Sequence, residues 1–189
     1  IGFCLVGSEM CIRDRLMIAQ NSSNDLEGLL VVTVEQAVAA PYTSCRLADA
    51  GARVIKVERP EGDFARNYDS NALGNSAYFV WLNRGKESIA LDLKNKEDME
   101  VFENIISKSD ILIQNLAPGA FERLGLDLKE LRLKYPSLIT CSISGFGDEG
   151  PYKNQKAYDM LIQAETGVID ITGLPCLLYT SPSPRDRSL

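Results

Sequence analysis

The chain has 189 residues, 45% hydrophobic and 24% charged, which is ordinary globular usage and excludes a wholly disordered chain, a collagen-like fibre and a disulfide-dense miniprotein. Its net charge is −6 and its pI about 4.8, so it is a poor non-specific binder of nucleic acid or an anionic membrane, and cationic sites for any anionic ligand must be local. It has no histidine, which removes His-ligated metals, Ser-His-Asp triads and Cys-His dyads, and no apolar run long enough to span a bilayer.

The two ends read as foreign. Residues 5–15 (LVGSEMCIRDR) resemble a sequencing-library adapter translated in one frame, and residues 176–186 (CLLYTSPSPRD) resemble the opposite strand of the same adapter. A signal peptide does not fit the first segment, because Glu9, Arg13 and Asp14 interrupt it and no basic region precedes it. The expected organisation is a foreign segment over 1–15, an N-terminal α/β portion over 16–175 and a foreign tail over 176–189. Of the five cysteines, Cys4, Cys11 and Cys176 then lie in or at the ends. Cys45 and Cys141 remain, and two free thiols suit a reducing cytoplasm. With no histidine to activate either, both read as buried packing residues.

Within the core, residues 29–34 (LLVVTV) form a short β-branched run and predict a buried strand. Residues 42–50 predict a helix with Pro41 near its first turn and Gly51 after its end. Residues 54–57 (VIKV) are the next strand, and residues 58–75, with Pro60, Gly62 and Gly74, a long loop. Residues 88–93 (SIALDL) alternate as a strand does. Residues 95–107 place Met99, Phe102, Ile105 and Ile106 at helical spacing. A strand over 111–113, a short helical segment opened by Pro118-Gly119, a helix over 127–134 that stops before Pro136, a strand over 138–143 and a helix over 158–166 complete the pattern. Apolar strands alternating with helices predict an α/β fold: a Rossmann-like parallel sheet with helices on both faces. Ligands of such sheets sit beyond the carboxyl ends of the strands.

Several motifs fall at those ends, and each has a plain reading beside its chemical one. Gly145-Phe-Gly147-Asp-Glu-Gly150 is a literal G-x-G-x-x-G after a strand, with Asp170 where a ribose-binding acid is sought, the pattern of a NAD- or FAD-dependent oxidoreductase. Against it, Asp148 and Glu149 would face the pyrophosphate and Pro151 removes a backbone donor. The plain reading is a glycine loop that lets a ligand or another backbone approach. Lys56 stands inside an apolar strand, and alternation places it on a solvated face. Arg59 ends that strand, where a phosphate can be met. Residues 83–86 (NRGK) read as a solvated turn, and Lys94 as a phosphate contact. Asn115-Leu116-Ala117-Pro118-Gly119 runs from a strand end into a helix start, with Arg123 one turn on. Asp159 reads as a helix N-cap, in a position that also keeps a carboxylate ionised.

Taken together, the runs EGLLVVTVEQAVAAPYTSCRLADAGARVIKVERPEGDFAR, FVWLNRGKESIALDLK, ILIQNLAPGAFERLGL and SISGFGDEGPYKNQKAYDMLIQAETG resemble family III CoA-transferases of the CaiB/BaiF type, over about residues 27–173. The resemblance implies the truncated large domain of that family, with CoA bound as an acyl-CoA substrate and no metal. It implies that Val38 and Ala39 line the thiol region, that Arg59 binds the nucleotide phosphates, and that Leu91, Lys94, Asn115, Leu116 and Ala117 lie around the adenosine and diphosphate. Arg123 and Lys156 are further basic contacts, and Asp159 an auxiliary acid near the substrate. These local cations and amides would let an acidic protein hold a polyanion.

The chemistry implied is nucleophilic catalysis by an aspartate: a mixed anhydride, then an aspartyl-CoA thioester, then transfer to a carboxylic acid. The first run looks closest to members acting on dicarboxylates such as itaconate, mesaconate or citramalate. The resemblance puts the nucleophile roughly thirty residues beyond the Tyr158-Asp159 pair, inside the adapter-like tail, and so implies a chain without turnover. The family's racemases use a histidine where Tyr158 stands here, which weighs against that branch; an intramolecular acyl-CoA isomerase or a racemase of the same family, a non-catalytic CoA-binding module and the oxidoreductase are the alternatives. The parent is expected to be a cytoplasmic, interlocked homodimer. Outside it, the chain is expected to keep an unpaired sheet edge and exposed apolar surface and to be aggregation-prone.

Overall fold

A computed structural model describes residues 24–147, 149–155 and 157–171. They divide into two compact units, residues 24–116 with 120–143 and residues 117–119 with 144–171. Both adapter-like ends, Cys4, Cys11, Cys176, Asp148 and Lys156 lie outside the described residues.

The first unit is built on five parallel strands: β1 (Leu30–Val34), β2 (Arg53–Glu58), β3 (Lys86–Ala90), β4 (Ile111–Gln114) and β5 (Ile139–Ser142), in spatial order β3-β2-β1-β4-β5. The chain winds outward from β1 through β2 to β3, then returns to the other side of β1 for β4 and β5. The switch point therefore lies between β1 and β4, where the crevice of an open parallel sheet forms. Between the strands run α1 (Ala39–Asp49), a 3₁₀ turn (Phe64–Asn67), α2 (Ala77–Asn83), α3 (Lys96–Ile106), α4 (Ala120–Arg123) and α5 (Leu128–Lys134).

Strand alternation divides the core in two. On one face Val32, Val34, Val57 and Leu112 pack with Phe102 and Ile106 of α3, Phe121 of α4 and Leu131 of α5. On the other, Val31, Val54 and Ile113 pack with Ala40, Leu47 and Ala48 of α1. Helices on both faces are the expected arrangement, and they explain why β1 reads as a continuous apolar run. Each fully buried Val, Ile, Leu or Phe side chain contributes about 1.5–3 kcal/mol. Cys45 is fully buried, with burial pushing its thiol above the ordinary value, whereas Cys141 is half-buried. Among the described residues no helix is long and apolar enough to cross a membrane.

The boundaries show what local chemistry adds to periodicity. Strand β3 ends at Ala90, earlier than alternation predicts. Leu91 still donates to Glu58 at 2.9 Å, but the Asp92 carboxylate then accepts from Lys94 N–H at 3.1 Å and turns the chain. The expected long loop after β2 holds the 3₁₀ turn, capped by Asp63, whose side chain accepts from Ala65 N–H. Helix α2 was not predicted: its sequence, AYFVWLN, is aromatic and β-branched, but Ser76 caps it by accepting from Phe79 N–H at 3.2 Å. Helix α1 begins at Ala39, three residues before the predicted start, with Pro41 in its first turn. Pro118 does not begin α4; the helix starts at Ala120 after Gly119, whose φ is +70°.

The second unit contains α6 (Asp159–Glu165) and α7 (Val168–Ile171), with Gly167 at φ +73° between them. Asp159 is not the N-cap. Tyr158 holds that position, and the Asp159 carboxylate accepts from Gln163 Nε2 at 2.7 Å, one helical turn on. The glycine loop after β5 leads into turns at residues 149–154 and not into a helix, so it lacks the helix N-terminus a pyrophosphate needs. A Cβ on Gly145 would lie 1.8 Å from the Ala157 Cβ, so the glycine is there for close approach of another segment.

Candidate active site

At the carboxyl ends of β1, β2 and β3 lies a cleft of about 120 Å³. Each strand supplies its wall by the residues that follow it: Glu35 and Gln36 after β1, Arg59, Gly62 and Asp63 after β2, and Leu91 to Lys94 after β3, with Leu116 beyond β4 and Leu124 beyond α4. Four of the expected contact residues, Arg59, Leu91, Lys94 and Leu116, meet in this one cleft. Leu91 is buried and Leu116 half-buried, giving an apolar wall, while Arg59 and Lys94 are exposed cations at its edge.

The other expected residues stand elsewhere. Val38 and Ala39 are exposed at the start of α1, and Arg123 is exposed on α4; none of the three lines the cleft. Ala117 and Asp159, both exposed, belong to the second unit. Asn115 has a structural task. Its Oδ1 accepts from Gln36 N–H at 2.9 Å and its Nδ2 donates to the Gln36 carbonyl at 2.8 Å. The side-chain amide thus continues the β1–β4 ladder past the last strand residue and clamps the mouth of the switch point.

The main correction concerns Lys56 and the NRGK turn. Lys56 is not on a solvated face. Its side chain is 1% exposed, and its ammonium donates to Asp63 at 2.7 Å and to Asn83 Oδ1 at 2.9 Å, over the Phe79 ring. Lys86 turns inward as well, donating to Glu35 at 2.7 Å, the Pro41 carbonyl at 2.8 Å and Asn83 Oδ1 at 3.1 Å. Burial pulls its pKa below the ordinary lysine value, and the Glu35 carboxylate opposes that pull. Glu58 accepts from Arg66 at 2.7 and 3.0 Å, from Ser88 Oγ at 2.8 Å and from Asp63 N–H at 3.0 Å. Burial works against its ionised form, but these bonds and the Lys56 charge prevail and hold the carboxyl at about 2.

Alternation did place Lys56 on the same face as Thr33 and Ser88, its register partners. What it could not show is that the 3₁₀ turn and α2 roof that face over. The roof was hidden because α2 itself was not legible. Asp63 also accepts from Ala37 N–H at 3.3 Å, and Ala37 sits at φ +63°, a left-handed conformation that costs a non-glycine residue about 1–2 kcal/mol. The network therefore supports the turn between β1 and α1 that shapes one side of the cleft.

Comparison with known proteins bears on the family and the fold. The family model of CoA-transferase family III matches residues 26–180. An acetyl-CoA:oxalate CoA-transferase from Acetobacter aceti is 42% identical over 150 residues, 79% of this chain and 39% of its own. A succinyl-CoA:mesaconate CoA-transferase from Haloarcula hispanica is 39% identical over 157 residues, 78% of this chain and 40% of its own. The crystal structure of a CaiB/BaiF family protein from Brucella suis superposes with a TM-score of 0.73 at 41% identity, covering 79% of this chain and 41% of that one. The chain spans about two fifths of the length of the curated relatives it matches. A doubly wound sheet of this order, a cleft at its switch point with cations at the rim, and a family match over most of the chain lead to one conclusion: the chain belongs to CoA-transferase family III.

Proposed function

We propose that this chain carries the CoA-binding part of an enzyme that moves CoA from an acyl-CoA thioester to a carboxylic acid. The observation that carries the reading is the convergence of Arg59, Leu91, Lys94 and Leu116 on one cleft at the switch point. In this reading Arg59 and Lys94 pair with phosphate oxygens, and Leu91 and Leu116 cover apolar surface of the nucleotide end. Val38 and Ala39 stand near the thiol, Arg123 and Lys156 add positive charge, and Asp159 shapes the acid-binding end. An aspartate carboxylate outside the described residues attacks the thioester and expels CoA thiolate, forming a mixed anhydride; the thiolate then attacks the aspartyl carbonyl, releasing the donor carboxylate and leaving CoA as an aspartyl thioester. The acceptor is a carboxylic acid, and the names of the relatives favour a dicarboxylic one. The same reading gives the whole enzyme a homodimeric state and a cytoplasmic place.

The test is calorimetric titration of the 189-residue chain with CoA, repeated on Arg59→Ala and Lys94→Ala. Each substitution removes one charge-assisted hydrogen bond, of about 1.5–3 kcal/mol, so each is expected to weaken binding about tenfold or more. Binding that is unchanged in both variants would refute the assignment of the cleft.

A further inference from the structure

The cleft is too small for the whole of CoA. Its volume is about 120 Å³, well short of the ~300 Å³ at which pockets begin to enclose a drug-sized molecule, so it admits one ring system or one arm. Val34, Val57, Leu91 and Leu116 make its walls apolar. Strand alternation turns the neighbouring acids, Glu35 and Glu58, to the opposite face of the sheet, where Lys86 and Arg66 pair with them. One step further along, the same alternation returns Gln36 to the side of Val34, and Gln36 lines the cleft. Its main chain is held on both sides: its N–H donates to Asn115 Oδ1 at 2.9 Å, its carbonyl accepts from Asn115 Nδ2 at 2.8 Å, and the next N–H, of Ala37, donates to Asp63 at 3.3 Å. The half-buried Gln36 side chain, in contrast, has no hydrogen-bond partner among the described residues. A fixed main chain thus presents an unengaged donor and acceptor against an apolar wall, the kind of sparse polar group that orients a ligand in its pocket.

Arg59 and Lys94 stand exposed at the rim, on the loops after β2 and β3, so phosphates stay at the mouth. The group carried by the phosphorylated ribose is then the one that enters, and in CoA that group is adenine. An adenine edge sets an amino donor beside a ring-nitrogen acceptor, the complement of a carboxamide, and a glutamine can meet it with two hydrogen bonds at once. The pantetheine arm leaves from the far side of the diphosphate and offers its amides singly. Resting on the CoA reading above, we propose that Gln36 reads the base: its Oε1 accepts from the adenine amino group and its Nε2 donates to the adjacent ring nitrogen, while Leu91 and Leu116 cover the ring.

The test is a cycle of ligand against protein, read by calorimetric titration of the 189-residue chain. The ligands are CoA and etheno-CoA, whose adenine carries a bridge that removes the amino N–H groups and blocks the adjacent ring nitrogen. The proteins are the parent, Gln36→Met, which keeps the length of the side chain without its amide, and Gln36→Ala. The Asn115 clamp grips only the main chain of Gln36, so both variants retain it. The parent is expected to bind CoA about tenfold tighter than etheno-CoA. Each variant is expected to bind CoA about tenfold more weakly than the parent does, and to bind the two ligands within about threefold of each other. A purely structural role for Gln36 would weaken both ligands alike and leave their ratio unchanged. That outcome, a parent that does not distinguish the ligands, or variants that bind CoA as the parent does, overturns the base-reading role and leaves the CoA reading intact. A parent chain that binds no CoA overturns both.

Discussion

Replacing Glu58 by glutamine tests the energetics of the buried network most sharply. The carboxyl is held at about 2, against an ordinary 4.5, and its side chain is 3% exposed. A folded-state pKa below the unfolded one means that the stabilisation is present above pH 4.5 and is lost as pH falls towards 2. The gap corresponds to about 3 kcal/mol, reduced by the partial solvent exposure of Arg66. About three fifths of it should be gone at pH 3. Glutamine keeps the shape and one acceptor oxygen, for Asp63 N–H, and turns its amide NH2 towards Ser88 Oγ, but it loses the charge-assisted bonds from Arg66. Urea unfolding at pH 7 should therefore show Glu58→Gln about 2–3 kcal/mol less stable than the parent, with the difference shrinking to about 1 kcal/mol at pH 3. Subtracting variant from parent at each pH removes the contribution of all other titrating groups. Equal stability at pH 7, or a difference that stays constant down to pH 3, would refute the reasoning.

Other perturbations separate the packing claims from the site claims. Phe102→Ala empties the centre of the core beneath α3 and should cost about 3–5 kcal/mol in urea unfolding; a loss under 1 kcal/mol would contradict its assigned place. Asn115→Ala deletes two hydrogen bonds to the Gln36 main chain, with an expected loss of about 2 kcal/mol and faster amide exchange at Gln36; unchanged exchange would show that the clamp is not needed. Gly145→Ala forces a Cβ into Ala157 and should raise amide exchange across the glycine loop by at least about tenfold, whereas unchanged exchange would mean that the close approach is dispensable.

The sheet was legible because its signal is redundant. β1 and β4 are mostly apolar on both faces, and the helices after β3 and β4 carry their own caps, Asn95 for α3 and Asp127 for α5, each accepting from a main-chain N–H two residues on. Arg59 and Lys94 were legible as cations just beyond strand ends, and Leu91 and Leu116 through the family resemblance, since no local pattern assigns one cleft to residues that far apart in sequence. Glu35, Asp63, Asn83 and Lys86 were not. Their meaning depends on contacts such as Lys86 to Glu35, which are set by how the strands order and by where α1 and α2 lie. Lys56 gave a local warning, a charge inside an apolar strand, but alternation offers a solvated face as readily as a buried partner, and only the roof over that face decides. The G-x-G-x-x-G pattern failed in the opposite way: the letters match, but the chain after Gly150 turns instead of starting a helix, and Gly145 is accounted for by Ala157.

The central claim is that the switch-point cleft takes CoA rather than a nicotinamide dinucleotide. The measurement that tests it most directly is calorimetric titration of the same 189-residue chain with CoA and, separately, with NADH. Saturable binding of CoA with no binding of NADH is the predicted result. Binding of NADH without binding of CoA would contradict the account and return the glycine loop to consideration as a dinucleotide site.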